Sequence, residues 1–205
     1  MSSILKERSI FNTRTERRDA AENRQRILDA ALRLFDQHGV ENVSMNQIAM
    51  EAEIGSGTLY RRYSNKGELC LDLIKDNVVL CFEEIEAYLE ENKNEPPVER
   101  LIGILSRFIR FRESKAQLLK GVEDSASSNR NKSIGRSPLY NELHQYLVSL
   151  FDEMDTDKEG QANSVFRADM LLAALRSDAY LFQREVRGYT PEEVLEQICL
   201  TFIPQ

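Results

Sequence analysis

The sequence predicts an all-α fold: a small N-terminal unit of three helices, then a larger helical domain, about nine helices in total. Three observations predict it. Apolar residues recur at three- and four-residue spacing through most of the chain, with little of the alternation that marks strands. Helix-start and helix-stop residues fall at the ends of those periodic stretches. The nine Gly and five Pro lie mostly outside them.

Residues 1–18 lack apolar periodicity and carry Lys6, Arg8, Arg14, Arg17 and Arg18, which reads as a mobile basic arm, helical only near its end. Over 19–38 a helix is clear. Ile27, Ala30, Ala31, Leu34 and Phe35 share one face, and Gly39 suits the left-handed position just past the end. Ser44 opens a short helix, with Gln47 completing a capping-box spacing and Ile48, Ala49 and Ala52 inside. The tight link Glu53-Ile54-Gly55 leads to another short helix over 56–63.

Asn65 begins the next helix, again with capping-box spacing to Glu68, and Cys70, Ile74, Val78, Cys81, Ile85 and Tyr88 form its stripe. Glu95-Pro96-Pro97 breaks it near residue 92. A further helix to about 113 aligns Val98, Leu101, Leu105, Phe108 and Arg112, and a shorter one ends near Gly121. Residues 123–137, rich in Ser and Asn, read as a loop. Ser137-Pro138 then starts a helix carrying Tyr140, Leu143, Leu147, Leu150 and Met154. After a charged linker at 155–161, one helix over about 163–184 is apolar on more than one face. Thr190-Pro191-Glu192-Glu193 caps the last helix. The chain therefore divides into an arm (1–18), a helix-turn-helix domain (19–66) and a larger helical domain (67–205).

The formal charge of −7 argues at first against nucleic acid, but its distribution does not. Residues 1–66 hold eleven Lys and Arg against nine Asp and Glu, and the acidic excess lies entirely in the remainder. A local basic patch is what a phosphate backbone requires. Cys70, Cys81 and Cys199 form no CxxC or Cys/His cluster, so neither a metal, a disulfide framework nor a cofactor is expected. Cys70 and Cys81 share a helix face about 16 Å apart, too far to bridge, and buried inert thiols are the default over a redox sensor. With no long apolar run and no leader-like start, no membrane partner is expected and the cytoplasm is the expected location.

The informative stretch is SMNQIAMEAEIGSGTLYRRYSNK (44–66). Two short helices joined by a tight link can hold one of them proud of the surface, at a width the major groove accepts. Ile48, Ala49, Ile54, Leu59 and Tyr63 are spaced to bury, leaving Ser56, Gly57, Thr58, Arg61 and Arg62 outward. Gly57 lets the backbone approach a duplex closely, the two arginines suit guanine edges or phosphates, and Tyr60 offers a hydroxyl. Lys66 and Ser44 lie at helix starts, where free N–H groups and the dipole favour a phosphate.

The runs Ile48-Ala49-x-x-Ala52 and Gly57-Thr58-Leu59-Tyr60-x-x-Tyr63-x-Asn65-Lys66-x-Glu68-Leu69, with ILDAALRLFDQHGVENVSMNQIA before them, resemble the N-terminal domain of TetR-type repressors over about residues 24–74. The resemblance implies a homodimer that binds a palindromic operator and releases it when a small molecule enters the C-terminal domain. Carried over by position, it implies that Ser56, Gly57, Thr58 and Arg61 face bases and that Ser44, Tyr60, Arg62 and Lys66 face phosphates. Glu53 departs from the family, which usually has glycine there; if the turn needs a positive φ, glutamate costs about 1 kcal/mol. Gly67 departs too, where relatives often carry a polar residue.

The last two helices are the dimerisation candidates, because a helix apolar around much of its circumference must be covered on both sides. The residues expected there are Val165, Ala168, Leu172, Leu175, Ala179, Phe182, Val194, Ile198 and Phe202. Phe82, Phe108, Phe111, Tyr140, His144, Phe151 and Phe166 are the candidates to line an effector cavity, against a default of plain core. The helix from 65 to 92 belongs to both domains, so a ligand that favours one orientation of it would alter the spacing of two reading heads. Two other readings stay open: an architectural or adaptor DNA-binding protein without an effector, and an all-α enzyme. Against the enzyme stand two His only (His38, His144), no phosphate-binding glycine loop and no paired-carboxylate or metal spacing.

Overall fold

The computed structural model describes residues 3–128, 138–154 and 163–203, with side chains over 20–124, 140–154 and 163–203. Every regular element among them is helical: α1 (Ser3–His38), α2 (Met45–Glu51), α3 (Ser56–Arg62), α4 (Lys66–Glu91), α5 (Pro97–Ser128), α6 (Pro138–Met154), α7 (Ser164–Ala174), α8 (Ser177–Leu181) and α9 (Pro191–Phe202), with a π-helical turn at Phe182–Val186. The chain divides into two compact units, Met1–Leu69 and Cys70–Gln205. Helix α4 begins in the first and continues in the second.

In the first unit α1 packs on α2 and α2 on α3. Ile27, Ala30, Ala31 and Phe35 of α1, Ile48 and Ala49 of α2, and Leu59 of α3 are all buried. The predicted punctuation is present. Gly39 has φ +77° and its N–H donates to Phe35 O at 2.9 Å, which closes α1. Ser44 caps α2: its backbone N–H donates to Gln47 Oε1 at 2.8 Å, and Gln47 N–H donates to Ser44 Oγ at 3.3 Å. At the start of α4, Asn65 Oδ1 accepts from Glu68 N at 3.0 Å, while the Glu68 carboxylate reaches back to Ser64 N–H at 2.7 Å.

One boundary differs. The backbone is helical from Ser3, so the segment expected as an arm continues α1. No Gly or Pro interrupts residues 3–18, and an absent apolar stripe says what a helix packs against, not where it starts. The side chains of that segment lie outside the described residues.

In the second unit α5 packs on α6, α8 and α9, and α7 packs on α6, α8 and α9. Its core runs through Ile85, Leu101, Leu105, Phe108, Leu147, Phe151, Leu171, Leu175 and Tyr180. Helix α5 is kinked at Lys115 (φ −131°, ψ 20°), close to the predicted break, but its second segment continues to Ser128 instead of ending near Gly121. The helix expected over 163–184 is likewise two. Arg176 is extended (ψ 153°), and the N–H of Ser177 leaves the helical ladder to donate to Glu123 Oε2 at 2.7 Å. At the second break Glu123 supplies the N–H of Ser177 with a partner that hydrophobic periodicity does not display. The cap Ser137, the expected loop beyond Ser128 and the charged linker lie outside the described residues.

Gly103 is a helix-interior glycine with a packing reason. A Cβ there would run into the ring of Tyr88. That ring is held in place: Tyr88 OH donates to Glu99 O at 3.1 Å, and the Arg107 guanidinium stacks 3.8 Å from its centroid. Gly103→Ala, which would ordinarily strengthen a helix, is therefore expected to destabilise the protein by about 1–3 kcal/mol, read as a lower denaturant midpoint.

Candidate functional site

The α2-turn-α3 segment is fixed from below and bare above. Leu59 and Tyr63 anchor α3 from its inner face, and Ile54 is half-buried in the turn. The turn closes through Glu53 N–H to Met50 O and Ile54 N–H to Ala49 O, both at 3.0 Å. Glu53 has φ +54°, and it is the positive-φ non-glycine residue among those described. The glutamate thus sits in the left-handed conformation that glycine adopts without a Cβ penalty.

On the outer face of α3, Ser56, Gly57, Tyr60, Arg61 and Arg62 are exposed and Thr58 is half-buried. Nothing lies within 4 Å of a Cβ placed on Gly57, so that glycine is required by nothing inside the chain. Arg61 Nη2 donates to Thr58 Oγ1 at 3.2 Å, which steers the guanidinium along the face of α3. Ser44 is also exposed, with its Oγ bonded to Gln47 at 2.8 Å.

Two residues assigned to phosphates are engaged elsewhere. Arg62 Nη1 donates to Ala20 O at 3.2 Å, tying the end of α3 to α1 and leaving the rest of its fork without a hydrogen bond among the described residues. Lys66 Nζ is bonded to the carbonyls of Val40, Glu41 (3.3 Å) and Val43 (2.9 Å) in the loop between α1 and α2. An ammonium has three N–H donors, and all three are taken. Lys66 thus clamps that loop in the DNA-free chain, through bonds that its place at a helix start does not display. A second tie went unseen: Arg33 Nε and Nη2 both donate to Glu51 Oε1, at 3.2 and 3.1 Å, joining α1 to α2.

In the second unit, Phe82, Phe108, Phe111 and Phe151 are buried in the core, and Tyr140 and His144 are half-buried. Phe166 is 57% exposed, so it lines no interior of the unit. His144 Nε2 lies 3.1 Å from Asp169 Oδ1. Tyr140 belongs to a polar cluster that sequence spacing did not assemble. Its OH donates to Glu123 Oε1 at 2.6 Å, alongside Arg112 Nη1 at 3.3 Å, while Arg112 Nη2 donates to Ser177 Oγ at 2.9 Å. Burial and the neighbouring Glu123 carboxylate push the Tyr140 hydroxyl well above its usual range. The one signal for this cluster in the sequence was Arg112, standing in line with the apolar stripe of α5. Burial pushes the Cys81 thiol up to about 11, with Glu84 adding to the shift, which makes it a poor nucleophile.

The dimer residues require a correction. Ala168, Leu172, Leu175, Val194 and Ile198 are buried within the unit's own core, Ala179 and Phe202 are half-buried, and only Val165 and Phe182 are exposed. On α7, the π turn, the loop after it and α9 the large exposed apolar side chains are Val165, Phe166, Met170, Phe182, Val186, Tyr189 and Leu200, while Leu71, Val79 and Leu80 of α4 are exposed as well.

A buried-backed, exposed short helix after a tight turn defines a helix-turn-helix protein of the DNA-reading class. The family model for bacterial regulatory proteins of the tetR family matches residues 27–73. An HTH-type transcriptional regulator of Staphylococcus aureus (strain USA300) is 36% identical over 179 residues, covering 86% of this chain and 90% of the relative. Two solved structures are similar in fold. The TetR family repressor FadR of Thermus thermophilus, in complex with lauroyl-CoA, has 20% identity, covers 89% of this chain and 95% of its own, and gives a TM-score of 0.65. NalD, the secondary repressor of the MexAB-OprM multidrug efflux pump of Pseudomonas aeruginosa, has 18% identity, covers 89% and 96%, and gives 0.59. The chain belongs to the TetR family of helix-turn-helix transcriptional regulators.

Glu53→Gly is expected to stabilise the protein by about 1 kcal/mol by relieving the left-handed conformation, measured by chemical denaturation. Lys66→Met, by contrast, is expected to lower the stability of the DNA-free protein by about 1–3 kcal/mol, because three carbonyls lose a charged donor. An unchanged midpoint for Lys66→Met would return that residue to a role on phosphate.

Proposed function

We propose that the chain acts as a homodimeric, cytoplasmic repressor that holds a palindromic operator and releases it when a small molecule binds the second unit. The observation that carries this reading is the outer face of α3. Ser56, Gly57 and Arg61 are exposed with no structural task on that side beyond the Arg61–Thr58 bond, over an inner face fixed by Leu59 and Tyr63. Ser56, Gly57, Thr58 and Arg61 are assigned to base edges, and Ser44, Tyr60 and the free part of Arg62 to phosphates. Lys66 positions the unit instead of touching DNA.

The dimer contact is assigned to the exposed apolar set from Val165 to Leu200, since seven large apolar side chains left in water call for a partner surface. No helix among the described residues is long and apolar enough to cross a membrane. The effector is assigned to the core around Phe108, Phe111 and Tyr140. Because α4 is shared by both units, a ligand that discriminates between two orientations of it by a few kcal/mol would move two heads off half-sites about 34–36 Å apart. A regulator of this kind performs no chemistry.

The test is binding of the full chain to its own upstream DNA by fluorescence anisotropy at two salt concentrations. Wild type is expected to bind as a dimer, with an affinity that falls as salt rises. Arg61→Ala is expected to cost about 1–3 kcal/mol and to relax sequence preference, and Gly57→Val to abolish binding at unchanged stability. Equal, weak binding by all three proteins, on that DNA and on sites selected from random sequence, would overturn the reading.

A further inference from the structure

Arg112 is the most confined charge in the second unit. It is 2% exposed, with the Phe108 and Tyr180 rings 5.9 and 5.5 Å from its Cζ. Its two terminal nitrogens are occupied by Glu123, Tyr140 and Ser177. Its Nε–H has no hydrogen-bond partner among the described residues. Two other buried nitrogens lack one, but each has a carboxylate at hand: Arg107 Nε lies 3.8 Å from Glu84 Oε1, and His144 Nε2 lies 3.1 Å from Asp169 Oδ1. The carboxylate beside Arg112, Glu123, is engaged by the terminal nitrogen Nη1 at 3.3 Å. A buried donor left unmade is costly, and next to it the chain satisfies every other polar group of the cluster.

The charge of the cluster narrows what belongs on that donor. Arg112 is already balanced by Glu123, whose carboxylate accepts Arg112 and Tyr140 on one oxygen and the Ser177 N–H on the other. An anionic ligand would add an uncompensated negative charge to a dry site, which is strongly unfavourable. A neutral acceptor would complete the donor set without changing the charge. The site also sits where the fold is least regular: Lys115, three residues on, is the kink of α5, and Ser177 opens α8 immediately after the extended Arg176. A guest on Arg112 therefore meets segments held by side chains and not by a continuous helical ladder.

We propose that Arg112 Nε is the polar anchor of the effector site and that the effector is an uncharged, largely apolar molecule carrying a carbonyl oxygen (a ketone, ester, lactone or amide). This rests on the reading of the second unit as the effector domain. Phe108 and Tyr180 flank the guanidinium and supply the apolar surroundings, and Tyr140 and Glu123 hold the guanidinium in place.

The experiment compares three nine-carbon probes on the full-length protein: 2-nonanone, nonanoate below its micellar concentration, and nonane. Thermal midpoint is the first readout and operator affinity the second. The ketone is expected to raise the midpoint by roughly 3–6 °C at ten times its dissociation constant and to weaken operator binding at least tenfold. Nonanoate and nonane are expected to do neither. Arg112→Met should abolish the ketone effect. Should that variant fail to fold, the double variant Arg112→Met/Glu123→Met removes both charges together, a change that buried ion pairs often tolerate, and must also be blind to the ketone. A ketone shift that survives either variant overturns the proposal, as does a nonanoate shift equal to the ketone's. A ketone without effect on the wild type overturns it too. If the wild type binds operator while the probes do nothing, only this inference falls. If operator binding itself is absent, the regulator reading falls, and the thermal arm still decides the site.

Discussion

Two seven-residue helices cannot hold their shape in water, because the cost of nucleating a helix is not recovered in under two turns. Everything the first unit does therefore depends on what α2 and α3 are fastened to. The apolar face of α1 supplies part of the answer, and three polar ties supply the geometry. Arg33 grips Glu51 at the end of α2, Arg62 grips the Ala20 carbonyl, and Lys66 draws together three carbonyls of the loop that leads into α2. Each tie joins residues far apart in sequence, so the angle at which α3 is presented is set by side chains and not by the turn alone. The turn itself carries local strain at Glu53, which such surroundings over-determine.

The second unit solves a different problem. Its helices are long enough to be amphipathic, and most of its stability follows from burying their stripes. Where helices break, at Lys115 in α5 and at Arg176 before α8, the apolar pattern gives no instruction, and a charged cluster takes over. Arg112, Glu123, Tyr140 and Ser177 come from both segments of α5 and from the starts of α6 and α8. Nearby, Glu113 holds Tyr180 OH at 2.7 Å and Arg184 Nε at 2.9 Å, and the Arg184 guanidinium holds the Glu113 carboxyl below the usual carboxylate range. Polar links of this kind fix which ends meet, at the expense of some net stability.

How far the sequence could be read follows from this division. The caps at Ser44, Asn65 and Thr190, the left-handed Gly39 and the inner faces of α1 to α3 were legible because each is a local rule with a short reach. The exposed outer face of α3 was legible as the complement of Leu59 and Tyr63. The intrachain bonds of Lys66 and Arg62 were not, since a charged side chain's partner lies wherever the backbone happens to pass. The apolar residues of α7 and α9 were recognised as apolar, but the most regular stripe was placed on the outside. Periodicity identifies a face and is silent about whether the covering surface belongs to the same chain. Burial in the folded unit supplies that distinction, and it leaves Phe166, Met170, Phe182, Val186, Tyr189 and Leu200 uncovered.

The π-helical turn at Phe182–Val186 carries a consequence for how this surface can vary. Such a turn holds roughly one residue more than the α-helical turn it replaces, and one residue in a helix corresponds to a rotation of about 100°. Deleting a single residue within it would swing the Val186–Tyr189 segment around the axis while leaving its composition almost untouched. Sequences that differ here by one position in length, and hardly at all in chemistry, would then present different faces to a partner. Under the proposed dimer contact, pairing compatibility among related chains would be decided by an insertion or deletion that a comparison of residue types alone would overlook.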